Sequence, residues 1–351
     1  MRHVAISVDQ LRRPQPGGIG TYVRGLLEGM RDHVDEWLVQ EVGPPPTSGA
    51  RWSAVGEKLR GRFYVERWTN SDYGVRNPVN VIHATSLAGP FGPVRTDVIR
   101  SVTLQDFLWR DEPQTSTERG RTFHESRFQL VRARGDIRIF VTTSEMRDRV
   151  LAEGVASERV FRVTLGLDHA HGADSTTATA LLAAHGVLGP FTLCFGTIEP
   201  RKNLERLVAA HAIARAANPE LGPLVLVGPR GWGDVDTKDA VVLGALARSA
   251  LNGLITLASA VAYVPLAEGW GLPPLEALHW GARVVASRVV PSVQGRADCV
   301  LVDPLDVESI AAGLKESQSL STDSQEMTLR RESVAQLTWG AMAREHIAGW
   351  Q

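Results

Sequence analysis

The chain has 351 residues, 43% of them hydrophobic and 22% charged, with a formal net charge of −1 at pH 7. That length exceeds one small core and suits two domains of ordinary size, and the near-neutral charge gives no global pull toward nucleic acid or a membrane surface. No apolar run approaches the roughly 18 residues of a membrane span, and MRHVAISVDQ at the start reads as a strand rather than a signal peptide, so a cytoplasmic location is expected.

Short β-branched runs alternate with longer helical patterns along the whole chain, as in a parallel sheet covered by helices. In the first half His3–Val8 reads as a strand, and Gly20–Met30 as a helix with Tyr22, Val23, Leu26, Leu27 and Met30 at helical spacing. Asn80–His83, Val98–Leu104 and Arg138–Thr142 follow as strands. Ser144 is the expected N-cap of a helix over Glu145–Glu153, and Val160–Val163 closes this half. A composition shift to Ala, Gly, Ser and Thr between Asp168 and Pro190 marks the expected linker.

The alternation then restarts. Phe191–Phe195, Leu224–Val227, Ala240–Leu243, Ala260–Val264 and Arg283–Ala286 read as strands; Leu204–Asn218, Ala245–Asn252 and Pro273–Trp280 read as helices. Met327–Trp350 reads as a helical tail able to pack back on the first domain. The domains are expected at 1–175 and 186–330, with 331–351 returning. Cys194 and Cys299 sit in apolar runs and are expected as buried reduced thiols.

Three stretches carry chemistry. In AVAYVPLAEGWGLPPLEALHWGARVVAS, a strand enters a glycine-rich turn, and Pro273 and Pro274 open a helix, where a missing N–H costs least. The N–H groups of Gly271 and Leu272 should point from the helix N-terminus and suit a phosphate. Glu276 is expected in the first helical turn, where a carboxylate suits the dipole and can accept from ribose hydroxyls. Glu268 precedes the turn. The second stretch, GTIEPRKNL from Gly196, places Arg201 and Lys202 at a strand's carboxyl end, where two cations can neutralise a diphosphate. The third, Pro16–Tyr22 (PGGIGTY), is a loop open to close approach of a ligand. As a dinucleotide fingerprint it fails, because Val23 stands where a third small residue is needed.

Together these stretches resemble the retaining GT-B glycosyltransferases of family 4. The resemblance runs in order through GGIGTYVRGL, NVIHAT, VTLQD, VTTSEMRDRV, VTLGLD, GTIEPRKNL, VGPRGWG and EGWGLPPLEAL to LVDPLDVESI. It implies two Rossmann-like doubly wound domains facing across a cleft, the first binding acceptor and the second a nucleotide-diphosphate sugar. It implies that Arg201 and Lys202 hold the diphosphate, Glu276 the ribose and Glu268 the transferred sugar, with Arg201, Lys202 and Glu268 as the catalytic set. Gly196, Gly269, Trp270, Gly271 and Leu272 would give further donor contacts, Val242, Leu243 and Gly244 would lie beside the base, and Gly18 and Gly20 would close on the donor. Tyr22, His83, Gln105 and Asp106 would line the sugar or acceptor pocket. No cofactor and no metal are implied; the partners are the sugar nucleotide and a glycan or lipid-linked acceptor, not nucleic acid. The GTIEPRKNL form leans toward mannosyl or rhamnosyl transfer in surface-polysaccharide assembly.

One departure stands out. The family commonly has His-Asp after the VT strand, whereas this chain has Gln105-Asp106, and glutamine cannot carry a proton near neutral pH. An impaired relative that binds sugar nucleotide without transfer is the alternative this raises. Asp234-Val235-Asp236 has the D-x-D form of metal-dependent transferases but is expected as solvated loop acids. The six arginines between Arg119 and Arg138 are expected as a solvated helix face, with peripheral contact at the inner face of an anionic membrane as the other reading.

Overall fold

Among the described residues, twelve strands, all paired in parallel, form two separate six-stranded sheets. The computed structural model describes residues 1–13, 16–44, 54–321 and 323–351, with side chains for all of these except 54–60. The chain divides into Met1–Gly166 with Leu337–Gln351, and Leu167–Gln336.

The first unit holds β1 (Arg2–Ser7), β2 (Trp37–Val42), β3 (Val81–Ala84), β4 (Ile99–Leu104), β5 (Ile137–Val141) and β6 (Val160–Arg162), in the order β2-β1-β3-β4-β5-β6. Its helices are α1 (Gly17–Gly29), α2 (Ala54–Trp68), α3 (Leu108–Asp111), α4 (Glu118–Ala133) and α5 (Ser144–Ala152). The inner strands β3 and β5 are almost wholly buried, because helices cover both faces of a parallel sheet. The edge strand β2 is buried only at its two ends, and without a continuous apolar run it escapes a reading by pattern. Thr143, not Ser144, caps α5, its Oγ1 accepting from the Met146 N–H.

The second unit holds β7 (Thr192–Phe195), β8 (Leu224–Val227), β9 (Val241–Gly244), β10 (Ala260–Tyr263), β11 (Val284–Ser287) and β12 (Cys299–Val302), in the order β12-β11-β10-β7-β8-β9. Its helices are α6 (Ser175–Ala184), α7 (Leu204–Ala217), α8 (Arg248–Leu257), α9 (Leu272–His279), α10 (Val307–Ser319) and α11 (Ser324–Glu332). This is the Rossmann strand order, and the order reverses between β7 and β10. Cys194 and Cys299 are both buried free thiols, and burial pushes each up to about 12.

Two expected boundaries move. The expected linker instead contains α6, which Asp174 caps and which packs on α8: the Gly253 α-carbon approaches so closely that a Cβ there would lie 2.4 Å from the Asp174 carbonyl. The expected helical tail is two helices in different units. After α11, α12 (Trp339–Trp350) belongs to the first unit and seats Trp339 on α1. A Cβ on Gly25 would lie 2.1 Å from the Trp339 ring, and one on Gly166 2.3 Å from the Trp339 nitrogen, so only glycine admits this docking.

The arginine-rich stretch is turned inward. Arg127 is buried and donates to the carbonyls of Leu87 and Gly89; Arg134 binds Asp136 and the Gly92 carbonyl. Arg121 holds the Pro113 and Ser116 carbonyls, Arg132 pairs with Glu153, and Arg138 binds the Gly349 carbonyl. Four of the six thus tie loops and helices within the first unit rather than forming a solvated face, while Arg119 and Arg132 are exposed.

Candidate donor site

The loops after β7 and β10 meet at the reversal of the second sheet, the place where such sheets bind ligands. Gly196, with φ of 137°, leaves β7, and Asn203, with φ of 60°, ends the turn at Pro200–Lys202. The Asn203 amide donates to the carbonyls of Val264 and Pro304 at 3.0 and 2.7 Å, and the Leu266 N–H donates to the Arg201 carbonyl at 3.0 Å. These bonds lock the two loops together. Gly231 extends the lock from the next strand: its N–H donates to the Ile198 carbonyl at 2.9 Å, and a Cβ there would lie 2.6 Å from Thr197.

The lock brings four charged groups into one cluster. Lys202 Nζ donates to Glu268 Oε2 at 2.6 Å and to the Tyr263 hydroxyl at 2.7 Å. Arg201 donates to Glu268 Oε2 at 3.1 Å, to the Ala267 carbonyl at 3.0 Å and to Glu199 at 2.7 Å. Tyr263 gives its own proton to the same Glu268 oxygen. Burial acts to raise the Glu268 carboxyl, but Lys202 and Arg201 override it and hold it well below the ordinary range. Glu199, Arg201, Lys202 and Glu268 sum to zero formal charge, so the two cations are not a free positive patch. An anion arriving there must share them with the glutamates.

Gly269 and Trp270 lead to Gly271, whose φ of 97° turns the chain into α9. A Cβ on Gly271 would lie 2.2 Å from Val290 and 3.0 Å from the Ser292 hydroxyl, and Ser292 donates to the Gly271 carbonyl at 2.7 Å. Because Pro273 and Pro274 have no N–H, the first turn exposes few donors; those of Gly271 and Leu272 have no protein acceptor among the described residues. Gly271→Ala is therefore expected to cost about 1–2 kcal/mol of stability from the left-handed backbone alone. A melting curve equal to the parent's would contradict that strain.

Because α9 begins one residue earlier than expected, at Leu272, Glu276 falls just past the first turn, so its charge is not held by the helix terminus. It is buried, and both oxygens are engaged: His169 Nε2 donates to one at 2.8 Å and Arg248 to the other at 2.9 Å. Burial acts to raise this carboxyl and those two partners lower it below its ordinary value. Arg248 opens α8 just after Val242, Leu243 and Gly244, which are half-buried on the edge strand β9. That places the three residues in the segment that supplies Arg248. On the expectation that Glu276 holds a ribose, Arg248→Ala should raise the donor KM by about 10- to 150-fold, since a charge-assisted bond contributes about 1.5–3 kcal/mol to fixing that carboxylate; kcat should change less.

In the first unit, α1 already begins at Gly17, so Gly18 and Gly20 lie in a helical turn rather than a loop. Gly20 has a local reason to be glycine, because a Cβ would lie 2.2 Å from Pro16 Cβ; beside Gly18 there is open space. Tyr22 and His83 do not line a pocket. Both are fully buried, with the Tyr22 hydroxyl 2.9 Å from His83 Nε2, 2.6 Å from Thr103 and 3.0 Å from His346. Gln105 is half-buried at the carboxyl end of β4, with a buried amide nitrogen that has no partner among the described residues. Asp106 accepts from the Leu108 N–H at 3.0 Å. Asp236 pairs with Lys238 at 3.2 Å on an exposed loop.

Sequence reasoning missed Tyr263, Glu199, His169 and Arg248. Tyr263 ends an apolar run and counts there as a core residue, although its hydroxyl is at the strand's carboxyl end. Glu199 lies inside GTIEPRKNL, and His169 directly follows VTLGLD; for Arg248 the sequence carries no signal.

Residues 189–317 match the family model described as Glycosyl transferases group 1. The O-antigen chain mannosyltransferase B of Escherichia coli is 37% identical over 146 residues, covering 38% of this chain and 38% of that protein. Matched segments span 38% or less of the relatives' own lengths. Among solved structures, sucrose-phosphate synthase from Thermosynechococcus elongatus aligns with a TM-score of 0.69 at 18% identity, covering 99% of this chain and 98% of that one. Anabaena HepE in complex with UDP-glucose aligns with a TM-score of 0.69 at 13% identity, covering 99% of both chains. The chain thus has the GT-B fold of two Rossmann-like units, and the second unit contains the segment that matches the group 1 glycosyl transferases.

Proposed function

We propose that this protein is a retaining, metal-independent glycosyltransferase of family 4. It moves a hexosyl unit from a nucleotide-diphosphate sugar to a hydroxyl of a glycan or lipid-linked acceptor in polysaccharide assembly. The observation that carries this is the Lys202–Tyr263–Glu268–Arg201 cluster near the N–H groups of Gly271 and Leu272, which have no acceptor among the described residues. It offers both a leaving-group grip and a carboxylate aligned with it. The matched segment of the O-antigen chain mannosyltransferase favours mannosyl over rhamnosyl, and the UDP-glucose complex of HepE supports a nucleotide-sugar donor.

In this reading the bond from the anomeric carbon to phosphate breaks as the bond to the acceptor oxygen forms on the same face. The departing phosphate oxygen takes the acceptor's proton. Lys202, Arg201 and the two N–H groups stabilise the charge that develops on the diphosphate. All three donors to Glu268 fall on Oε2, which leaves Oε1 for a sugar hydroxyl. Glu276 accepts from the ribose on lone pairs that His169 and Arg248 leave unused.

Purified protein with GDP-mannose, dTDP-rhamnose or UDP-glucose and an O-antigen-type acceptor should form product with the donor's anomeric configuration, read by NMR, and chelator should leave the rate unchanged. Inverted product, or activity lost to EDTA and restored by manganese, would overturn the retaining or metal-independent reading respectively. Gln105 motivates a second reading, a relative that binds sugar nucleotide without transfer. Donor binding by calorimetry, with neither transfer nor hydrolysis, would establish it.

A further inference from the structure

We infer that Tyr263 is a positioning residue of this site, one that confines the Lys202–Glu268 ion pair to a single carboxylate oxygen; the inference rests on the donor reading above. Tyr263 closes β10 with 3% of its surface exposed, and its ring centroid lies 4.9 Å from Lys202 Nζ. The buried ring is fixed, so its hydroxyl is a fixed point.

The proton order around that point is determined by chemistry. Lys202 can only donate, so the Tyr263 oxygen accepts from it at 2.7 Å, and the Tyr263 proton goes to Glu268 Oε2. Lys202 also donates to Glu268 Oε2 at 2.6 Å. Lys202, Tyr263 and Glu268 therefore close a triangle of three hydrogen bonds. Two of the ammonium's three protons are committed, and the third remains for a phosphate oxygen. On Glu268, Oε2 takes Lys202, Tyr263 and Arg201 together, while Oε1 has no hydrogen bond among the described residues.

Without the hydroxyl, the flexible lysine stem lets the ammonium swing across both carboxylate oxygens. That swing engages Oε1 and turns the third proton away from the site. A neutral phenol thus holds the ion pair on Oε2 and leaves Oε1 and one ammonium proton for the donor. The phenol also suits this task better than a second acid would, because burial and the Glu268 charge push its ionisation well above the ordinary value.

The test is a double-mutant cycle of Tyr263→Phe and Lys202→Ala on the full chain, with transfer from the active donor as the readout. Tyr263→Phe retains the ring and should leave the melting temperature near the parent's, while kcat falls about 10- to 100-fold and donor KM changes less. In the Lys202→Ala background the same substitution should cost less than about twofold, since residues acting through one another are not additive. Parent-like kcat in Tyr263→Phe, or an equal loss in both backgrounds, overturns the inference. Should Tyr263→Phe melt lower, rates taken well below its midpoint decide, and a loss of donor affinity equal to the loss of kcat also counts against it. A wild-type protein that neither binds nor turns over any sugar nucleotide defeats the donor reading instead, which is a separate outcome.

Discussion

Lys202→Ala should lower kcat by about 100- to 1,000-fold, the loss that follows removal of one preorganised donor from a developing oxyanion. The expectation rests on how the ammonium is held. It is buried to 13% exposure, tied to Glu268 and Tyr263, and carries one uncommitted proton. Preorganisation is what makes such a donor effective, because little rearrangement is needed as charge develops. Arg201→Ala should act in the same direction but with a mixed origin. Its guanidinium also holds Glu199 and the Ala267 carbonyl, so part of the loss would come from a loosened loop. Donor KM separates the two contributions: it should rise more for Arg201→Ala than for Lys202→Ala. Steady-state kinetics on both variants checks this, and unchanged turnover in both would remove the diphosphate role.

Acid should unfold the first unit through its histidines before its carboxylates titrate. A chain of donors begins and ends on α12. The Trp350 indole donates to Ser101 at 3.0 Å, Ser101 bonds His83 Nδ1 at 2.9 Å, and His83 Nε2 bonds Tyr22 at 2.9 Å. His346 Nδ1 is 2.9 Å from the Met342 carbonyl, which can only accept, so a neutral His346 takes the Tyr22 proton on Nε2. Burial favours the neutral form of both histidines, and the donor order fits it. Burial pushes His346 down to about 4, and burial followed by the neighbouring His346 pushes His83 well below its ordinary value.

The sign follows from linkage. A histidine with a depressed folded-state value contributes full stability above its unfolded value near 6.5 and loses it as pH falls toward the folded one. For His346 the loss approaches about 3 kcal/mol by pH 4. His211 in the second unit, pushed down to about 4 by burial, adds a loss of similar size there. Asp9 acts the other way, since burial raises its carboxyl and acid relieves that cost. Urea unfolding at about pH 7 and about pH 5 brackets a range in which histidines titrate and most carboxylates do not. Equal stability at the two would contradict the neutral chain, and His346→Leu should flatten the first unit's profile.

Much of the architecture was legible because a parallel sheet buries its strands on both faces. Apolar runs such as IRIFV and LVLV then stand out between helical patterns. The edge strand β2 and the helix α6 were not legible for the complementary reason. The strand is half-exposed and carries no continuous apolar run. In α6 the Ala, Ser and Thr composition that suggested a linker pays for itself by packing closely on α8.

At the donor site the sequence by itself determined which residues could do chemistry. Glu268, Arg201 and Lys202 sit in turns at strand ends, and Glu276 in the helix that follows, where local residue types decide the backbone. Only the tertiary structure decided how their charges are spent. Glu268 and the two cations form one neutral cluster because β7 and β10 are neighbours at the sheet's reversal, although Lys202 and Glu268 are 66 residues apart in the chain. The same holds in the opposite sense for Tyr22 and His83. Their spacing allowed a pocket, but α12 returns to cover them, and a buried hydrogen-bond chain is the only way those polar groups can leave water. Which polar groups pair is a question of contact across the chain, and no local pattern encodes it.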